Sequence, residues 1–218
     1  MHSIVERLNS PLFKGIDPDS LKTMLGCIGY RIGSYKKGEI IAFEQEDIRH
    51  IGILLSGSAD MIKEDILGNK TILARMSKND MFGETFACGD DTLSETTFIA
   101  SEDAEILFLP FNKVIHTCTS ACVFHHRLVE NMVGIMANKN RTLMRKVEVI
   151  SRKTLREKIM AYLSWQAELN GHRYFEIPLG RVELAEFLCA DRSALTRELA
   201  KMKDEGIIDF DKNCFRIL

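Results

Sequence analysis

Four residues within six positions carry side chains able to read a base pair: Arg192, Ser193, Thr196 and Arg197. A guanidinium fork can bond two acceptors on a guanine edge together, and a hydroxyl can reach a base or a phosphate. Their spacing places all four on one face of a helix, close to its N-terminus. Asp191 stands where an N-cap carboxylate would accept the first free backbone N–H groups. Leu195, Leu199 and Met202 recur at i, i+4 and i+7, so the opposite face is built for burial.

The elements that must hold this helix lie on either side of it. Gly180 to Gly206 reads as two short helices joined at Cys189-Ala190. Val182, Leu184, Ala185 and Leu188 give the first helix an apolar spacing. Phe175-Glu176-Ile177-Pro178 precedes the pair as a short strand. Ile207 to Phe210, a turn at Asp211-Lys212-Asn213, and Cys214 to Ile217 form a β-hairpin after it. Strand, helix pair and hairpin describe a winged helix, whose second helix enters a major groove while the hairpin meets the backbone. An ordinary helical hairpin showing charge to solvent is the competing reading, and the flanking strands argue against it.

A second group of reactive side chains is Cys118, Cys122, His125 and His126. Cys122 and His126 are one helical turn apart, and thiolate with imidazole could hold a metal or a haem. Cys88 with Cys118 or Cys122 could form a dithiol switch. The plain alternative is that each cysteine is a small buried hydrophobe. A cupin-type metalloenzyme needs several barrel histidines, but His50 is the only histidine between Tyr30 and Leu109. With no nucleophile–histidine pattern and no phosphate-cradling glycine loop, no enzyme, cofactor or bound metal is expected.

Upstream of the winged helix, a helix is expected from about Ala121 to Ile150. Val129, Val133, Met136, Asn140, Leu143, Val147 and Ile150 alternate in steps of four and three, a heptad seam with Asn140 at an a position. One polar Asn in such a seam sets register in a parallel two-stranded coiled coil. Leu128, Met132 and Ile135 lie on another face, free to pack on the same chain. From Tyr30 to Leu109, short apolar runs separated by turn residues indicate a β-sandwich or barrel. Before it comes a helical lead-in, its last helix opening at Asp17-Pro18 and ending near Gly26.

The 218 residues carry a net charge of −2, unevenly spread. Residues 1–138 hold 13 Lys+Arg against 19 Asp+Glu, and 139–218 hold 16 against 12. The basic end is the helix-pair end, so nucleic-acid affinity would come from focused patches. Six cysteines without a disulfide-like framework, no signal-like N-terminus and no bilayer-length apolar run favour a cytoplasmic protein without a membrane partner.

Lys37-Gly38-Glu39, Leu54-Leu55-Ser56-Gly57, Phe82-Gly83-Glu84, the long helix, and Leu184-Ala185 through Arg197 occur in an order that resembles the Crp/Fnr transcription regulators over nearly the whole chain. The resemblance implies an α+β chain: a cyclic-nucleotide-binding-like jelly-roll barrel (1–120), a long dimerisation helix (121–150) and a winged helix-turn-helix domain (151–218). It further implies a homodimer on a two-fold symmetric operator in double-stranded DNA, with RNA polymerase a candidate partner. Cys189 departs from the glycine usual at that turn and would be strained at positive φ. In relatives that bind cyclic AMP, a Gly-Glu pair holds the ribose and a later Arg-Ser pair the phosphate. Gly83-Glu84 fits the first pair, whereas Ser94-Glu95 stands at the second, within an acidic loop. An iron–sulfur sensor is also excluded, because Cys27 is the only cysteine before residue 88. The expected effector is therefore a small organic molecule other than cyclic AMP, in a pocket formed by Phe82, Gly83, Glu84, Thr85, Phe86, Thr96, Thr97, Leu128 and Met132.

Overall fold

Five successive residues, Ile51 to Leu55, are buried in one strand. A strand buried at every position must be covered on both faces. The computed structural model, which describes residues 4–68, 70–116 and 123–218, supplies both covers. Ile51, Ile53 and Leu55 pack towards helices, while Leu54 packs towards a second sheet. By contact density the chain divides into two units, Met1–Met136 and Ala137–Leu218, each with its own core.

The first unit opens with α1 (Ile4–Arg7), a 3-10 turn (Pro11–Phe13) and α2 (Pro18–Ile28). Asp17 caps α2 by accepting from Ser20 N at 3.0 Å, and Pro18 occupies the first helical position, where no N–H is needed. The helix runs past Gly26, where the sequence suggested its end, because Leu25 and Ile28 are both buried and hold the register. Gly29, at φ 75°, closes it.

Eight strands follow: β1 (Arg31–Tyr35), β2 (Ile40–Ala42), β3 (His50–Ser56), β4 (Ala59–Glu64), β5 (Lys70–Met76), β6 (Met81–Phe82), β7 (Thr97–Ala100) and β8 (Ala104–Pro110). They form two four-stranded antiparallel sheets, ordered β1-β8-β3-β6 and β2-β7-β4-β5. Their facing sides share a core containing Leu54, Phe82, Phe98, Ile106 and Phe108, as in the jelly roll expected. The β3–β4 turn requires glycine: Gly57 has φ 73°, and a Cβ there would lie 2.1 Å from Asp103 O. Short helices α3 (Glu84–Ala87) and α4 (Phe111–Ile115) complete the roll. Two clamps hold the lead-in: Arg7 pairs with Glu105 on β8, and Asn131 Nδ2 donates to Leu12 O and Lys14 O at 2.9 and 2.8 Å.

Helix α5 (Val123–Ile150) is continuous. Leu128 and Met132 are buried against Leu12, Leu25 and Ile51, with Ile135 packed on the same cluster. On another face Val133, Leu143 and Val147 are 57–62% exposed, and Asn140 is exposed between them.

The second unit begins its domain with α6 (Leu155–Asn170), which Thr154 and Glu157 cap reciprocally and Gly171 ends. Strand β9 (Tyr174–Glu176), α7 (Arg181–Phe187), α8 (Arg192–Asp204), β10 (Ile208–Asp211) and β11 (Cys214–Ile217) follow, the strands ordered β10-β11-β9. Leu184, Leu188, Leu195, Leu199, Met202 and Phe215 are fully buried together. Val182 corrects the sequence reading, being 48% exposed. Two residues before Leu184, it points to the opposite side of α7.

Candidate nucleic-acid interface and effector cavity

Asp191 is the N-cap of α8. Its Oδ1 accepts from Ser193 N at 2.8 Å, Ala194 N at 3.0 Å and the Ser193 hydroxyl at 2.5 Å. The Ser193 hydroxyl, then the two N–H groups, hold this carboxyl below its ordinary pKa. With Leu195, Leu199 and Met202 buried, Arg192, Ser193, Thr196 and Arg197 all stand exposed on the other side. Thr196 Oγ1 donates to Arg192 O at 2.9 Å, so both hydroxyl protons are committed locally. Among the described residues neither Arg192 nor Arg197 is within ion-pair distance of a carboxylate. The two guanidinium groups are thus the donors left for a ligand.

Two supporting residues were not legible in the sequence. Arg156, in the first turn of α6, bonds Glu198 and Glu205 and thereby ties α6 to α8. Those two carboxylates raise its pKa further above its ordinary value. Arg181 opens α7, donates from Nη2 to Lys212 O at 2.7 Å, and lies 5.0 and 5.1 Å from the centroids of Phe210 and Phe215. That residue fastens the hairpin to the helix pair. The only sequence signal for it was the Phe210–Phe215 cross-strand pair. Cys189, at the helix junction, has φ 51°, the left-handed conformation anticipated there.

Inside the roll, aromatic rings fill most of the space. Phe82 lies 5.3 Å from Phe98 and 6.4 Å from Phe108, and Phe86 sets its edge 6.2 Å from Phe98. Gly52 makes room, since a Cβ there would come within 2.4 Å of the Phe82 ring. A cavity of about 70 Å³ remains between the sheets, bordered by Arg31, Glu46 to His50, Phe82, Gly83, Phe98 and Phe108.

Of the expected pocket residues, Phe82 and Gly83 border this cavity. Glu84 is buried at the start of α3, Thr85 is exposed, and Phe86 backs Phe98. The Thr96 hydroxyl is buried without a hydrogen-bond partner, and the Thr97 hydroxyl accepts from Glu44 N at 3.2 Å. Leu128 and Met132 do not border the cavity; both belong to the helix-side core. The alternation of β3 explains this correction: α5 covers the outward side of its sheet, whereas the cavity lies on the inward side.

Neither residue at the position of the family's phosphate-holding pair is a cation. Ser94 is fully buried with its hydroxyl donating to Thr96 O at 2.6 Å, and Glu95 is exposed. Lys63 Nζ donates to Glu95 O at 2.7 Å but also pairs with Glu44 Oε1 at 2.5 Å. Of the thiol and imidazole candidates, Cys88 and His126 are exposed and His125 is buried. Cys118 and Cys122 lie outside the described residues. Among the described residues no group of three or more His, Cys, Asp or Glu is placed to hold a metal, and no helix is long and apolar enough to cross a membrane.

Comparison with known proteins matches both units. Residues 32–120 match the family model of the cyclic nucleotide-binding domain, and residues 157–218 that of the Crp-like helix-turn-helix domain. The Cyclic AMP receptor protein of Thermus thermophilus is 23% identical over 202 residues, 91% of this chain and 88% of that protein. Among solved structures, CprK complexed with OCPA superposes with a TM-score of 0.66 at 14% identity, covering 90% of each chain. The c-di-GMP responsive regulator CLP of Xanthomonas campestris gives 0.63 at 14% identity, covering 92% of this chain and 99% of its own.

Proposed function

Because the chain belongs to the Crp/Fnr family, as a DNA-binding transcription regulator and not an enzyme, we propose that it acts as a homodimer on a two-fold symmetric operator. In this reading residues 1–120 form the effector domain, 121–150 the dimerisation helix and 151–218 the reader of DNA. RNA polymerase is the machinery such binding would influence, and the cytoplasm the compartment. The gate is a small molecule other than cyclic AMP.

The observation that carries the reading is the division of labour on α8. Three apolar side chains anchor it, Asp191 caps it, and Arg192 and Arg197 project from its N-terminal half, beyond ion-pair distance of any carboxylate among the described residues. The exposed Val133, Leu143 and Val147 with Asn140 between them support pairing through α5. Charged groups of one sign would suffice for non-specific attraction, whereas two uncommitted guanidinium forks at a helix N-terminus suit base edges.

The test selects bound sequences from a random duplex pool, then measures single-base variants with Arg192→Ala and Arg197→Ala. An inverted repeat is expected, with each mutant losing about 1–3 kcal/mol of discrimination at one base pair of each half-site. By contrast, Arg152, Lys153 or Lys158 replaced by Ala would weaken all sequences alike and lower the salt slope by about one unit. Uniform losses from Arg192→Ala and Arg197→Ala would reject α8 as the reader.

A further inference from the structure

One cation at the edge of the roll has no counter-charge. Arg31 begins β1, and its guanidinium carbon sits 3.9 Å above the centroid of Phe108. Among the described residues no carboxylate is within ion-pair distance of it. A guanidinium held over a ring at this distance still has N–H groups to offer a ligand, and its fork matches a planar carboxylate at two points.

The surroundings narrow what could meet it. Arg31 borders the 70 Å³ cavity, whose inner wall is Phe82, Phe98 and Phe108. The rim carboxylates are occupied: Asp47 pairs with Arg49 at 2.6 Å, and Glu46 accepts from Phe43 N at 2.9 Å. His50 also borders the cavity, half-buried, and burial, then the charge of Arg31, lowers its pKa, so it faces the site as a neutral imidazole at neutral pH. The backbone is shaped for the opening. Gly83 has φ 82°, and a Cβ there would press to 3.1 Å from His50 O.

The volume sets the size of the guest. It is about half of an apolar cavity that accepts benzene, near 150 Å³. A cation at the mouth and aromatic faces behind it suit a molecule with a charged head and a two- or three-carbon body.

We propose that the mouth of the roll binds a short-chain monocarboxylate, its carboxylate on Arg31 and its alkyl end against Phe82 and Phe98, and that this acid is the effector. The site itself does not depend on DNA binding; the effector role rests on the regulator reading above. The fixed negative charge of Glu46 on the rim disfavours dianions and so selects a single carboxylate.

Calorimetric titration of the full-length protein with acetate, propionate, benzoate and nitrate, against sodium chloride of matched ionic strength, tests the site. Saturable binding of acetate and propionate is expected, weakened about tenfold or more in Arg31→Ala, as loss of a charge-assisted pair implies. Glu46→Gln, which keeps an acceptor for Phe43 N, should bind more tightly. Benzoate should bind less well than propionate. Equal titrations for wild type and Arg31→Ala, or nitrate binding as tightly as propionate, would overturn the site. Operator affinity with and without saturating propionate then reads the effector role. No change would reject that role and leave the DNA-binding reading intact, whereas failure to bind any DNA would reject the reading and leave the titration standing.

Discussion

Arg156 and Glu205 are joined by two hydrogen bonds, from Nη1 at 2.5 Å and Nη2 at 3.1 Å, and Arg156 Nε reaches Glu198 at 2.6 Å. Glu198 and Glu205 are two helical turns apart, so one side chain on α6 fixes α8 at two points along its length. The direction in which Arg192 and Arg197 project depends on that brace.

Arg156→Ala should therefore weaken operator binding about two- to fivefold, the range expected from exposed ion pairs, and non-operator binding less. Arg156→Lys should rescue little, because an ammonium cannot fork to two carboxylates. Fluorescence anisotropy on both duplexes is the measurement. A mutant that lost affinity equally on both duplexes would show that Arg156 does not act through the base-reading helix.

Leu143→Asp should yield monomers in sedimentation velocity while leaving the far-ultraviolet spectrum unchanged. Leu143 is 62% exposed in a helix whose other stripe, Leu128 and Met132, is fully buried, so the substitution removes nothing from the chain's own core. A charge placed in a coiled-coil seam must be desolvated or force the helices apart. A variant that remains dimeric would reject α5 as the interface.

Although Met136, expected in the seam, packs instead with the cluster of Leu128 and Met132, much of the separation of these two stripes was legible from spacing, since helical period assigns residues to faces. The same holds for α8, where a cap, an apolar face and a polar face are all local. Legibility failed where a residue's surroundings come from distant parts of the chain. Leu128 and Met132 were expected beside the cavity because both the helix and the roll were foreseen, but not which side of the sheet the helix covers. Arg31 escaped notice and His50 was weighed only as a metal ligand, because nothing adjacent in sequence marks their role; β8 brings Phe108 to Arg31, and β6 sets Phe82 opposite Gly52, two residues from His50.

Cyclic AMP should neither raise the melting temperature nor alter operator affinity at concentrations well above physiological. Ser94 is buried with its hydroxyl donating to Thr96 O, Glu95 offers a carboxyl and not a cation, and Lys63 is already paired with Glu44. Calorimetric binding with a tight, saturable isotherm would show that another donor serves the phosphate.

The Asp191 cap should appear in the pH dependence of stability. Its hydrogen bonds to Ser193 and Ala194 depress the folded-state pKa below the ordinary 3.8. A depressed carboxylate stabilises fully above the unfolded value, and that contribution fades as pH falls through the lower folded value. Wild type should therefore be more stable than Asp191→Ala at neutral pH, with the gap closing below about pH 3.8. Glu205 and Asp209 are depressed too, but they are present in both proteins and cancel. A gap independent of pH would mean that the cap does not act through its charge.

Cys189→Gly should stabilise the second unit. Cys189 follows the last turn of α7 at φ 51°, with its N–H donating to Glu186 O at 3.1 Å and Ala190 N–H donating to Ala185 O at 2.9 Å. That pair of bonds is the helix ending that asks for a left-handed residue, normally glycine. An L-residue held there costs about 1–2 kcal/mol through contact of its Cβ with the carbonyl. Glycine removes the contact but gives back part of the gain, about 0.4–1 kcal/mol, through a more disordered unfolded chain. A net gain of roughly 0.5–1 kcal/mol remains, a few degrees in melting temperature for a domain of this size. Cys189→Ala keeps the Cβ and should gain nothing, so the two variants separate backbone strain from loss of the exposed thiol. Equal stabilisation by Gly and Ala would assign the effect to the thiol, and destabilisation by Gly would show that the turn is not strained.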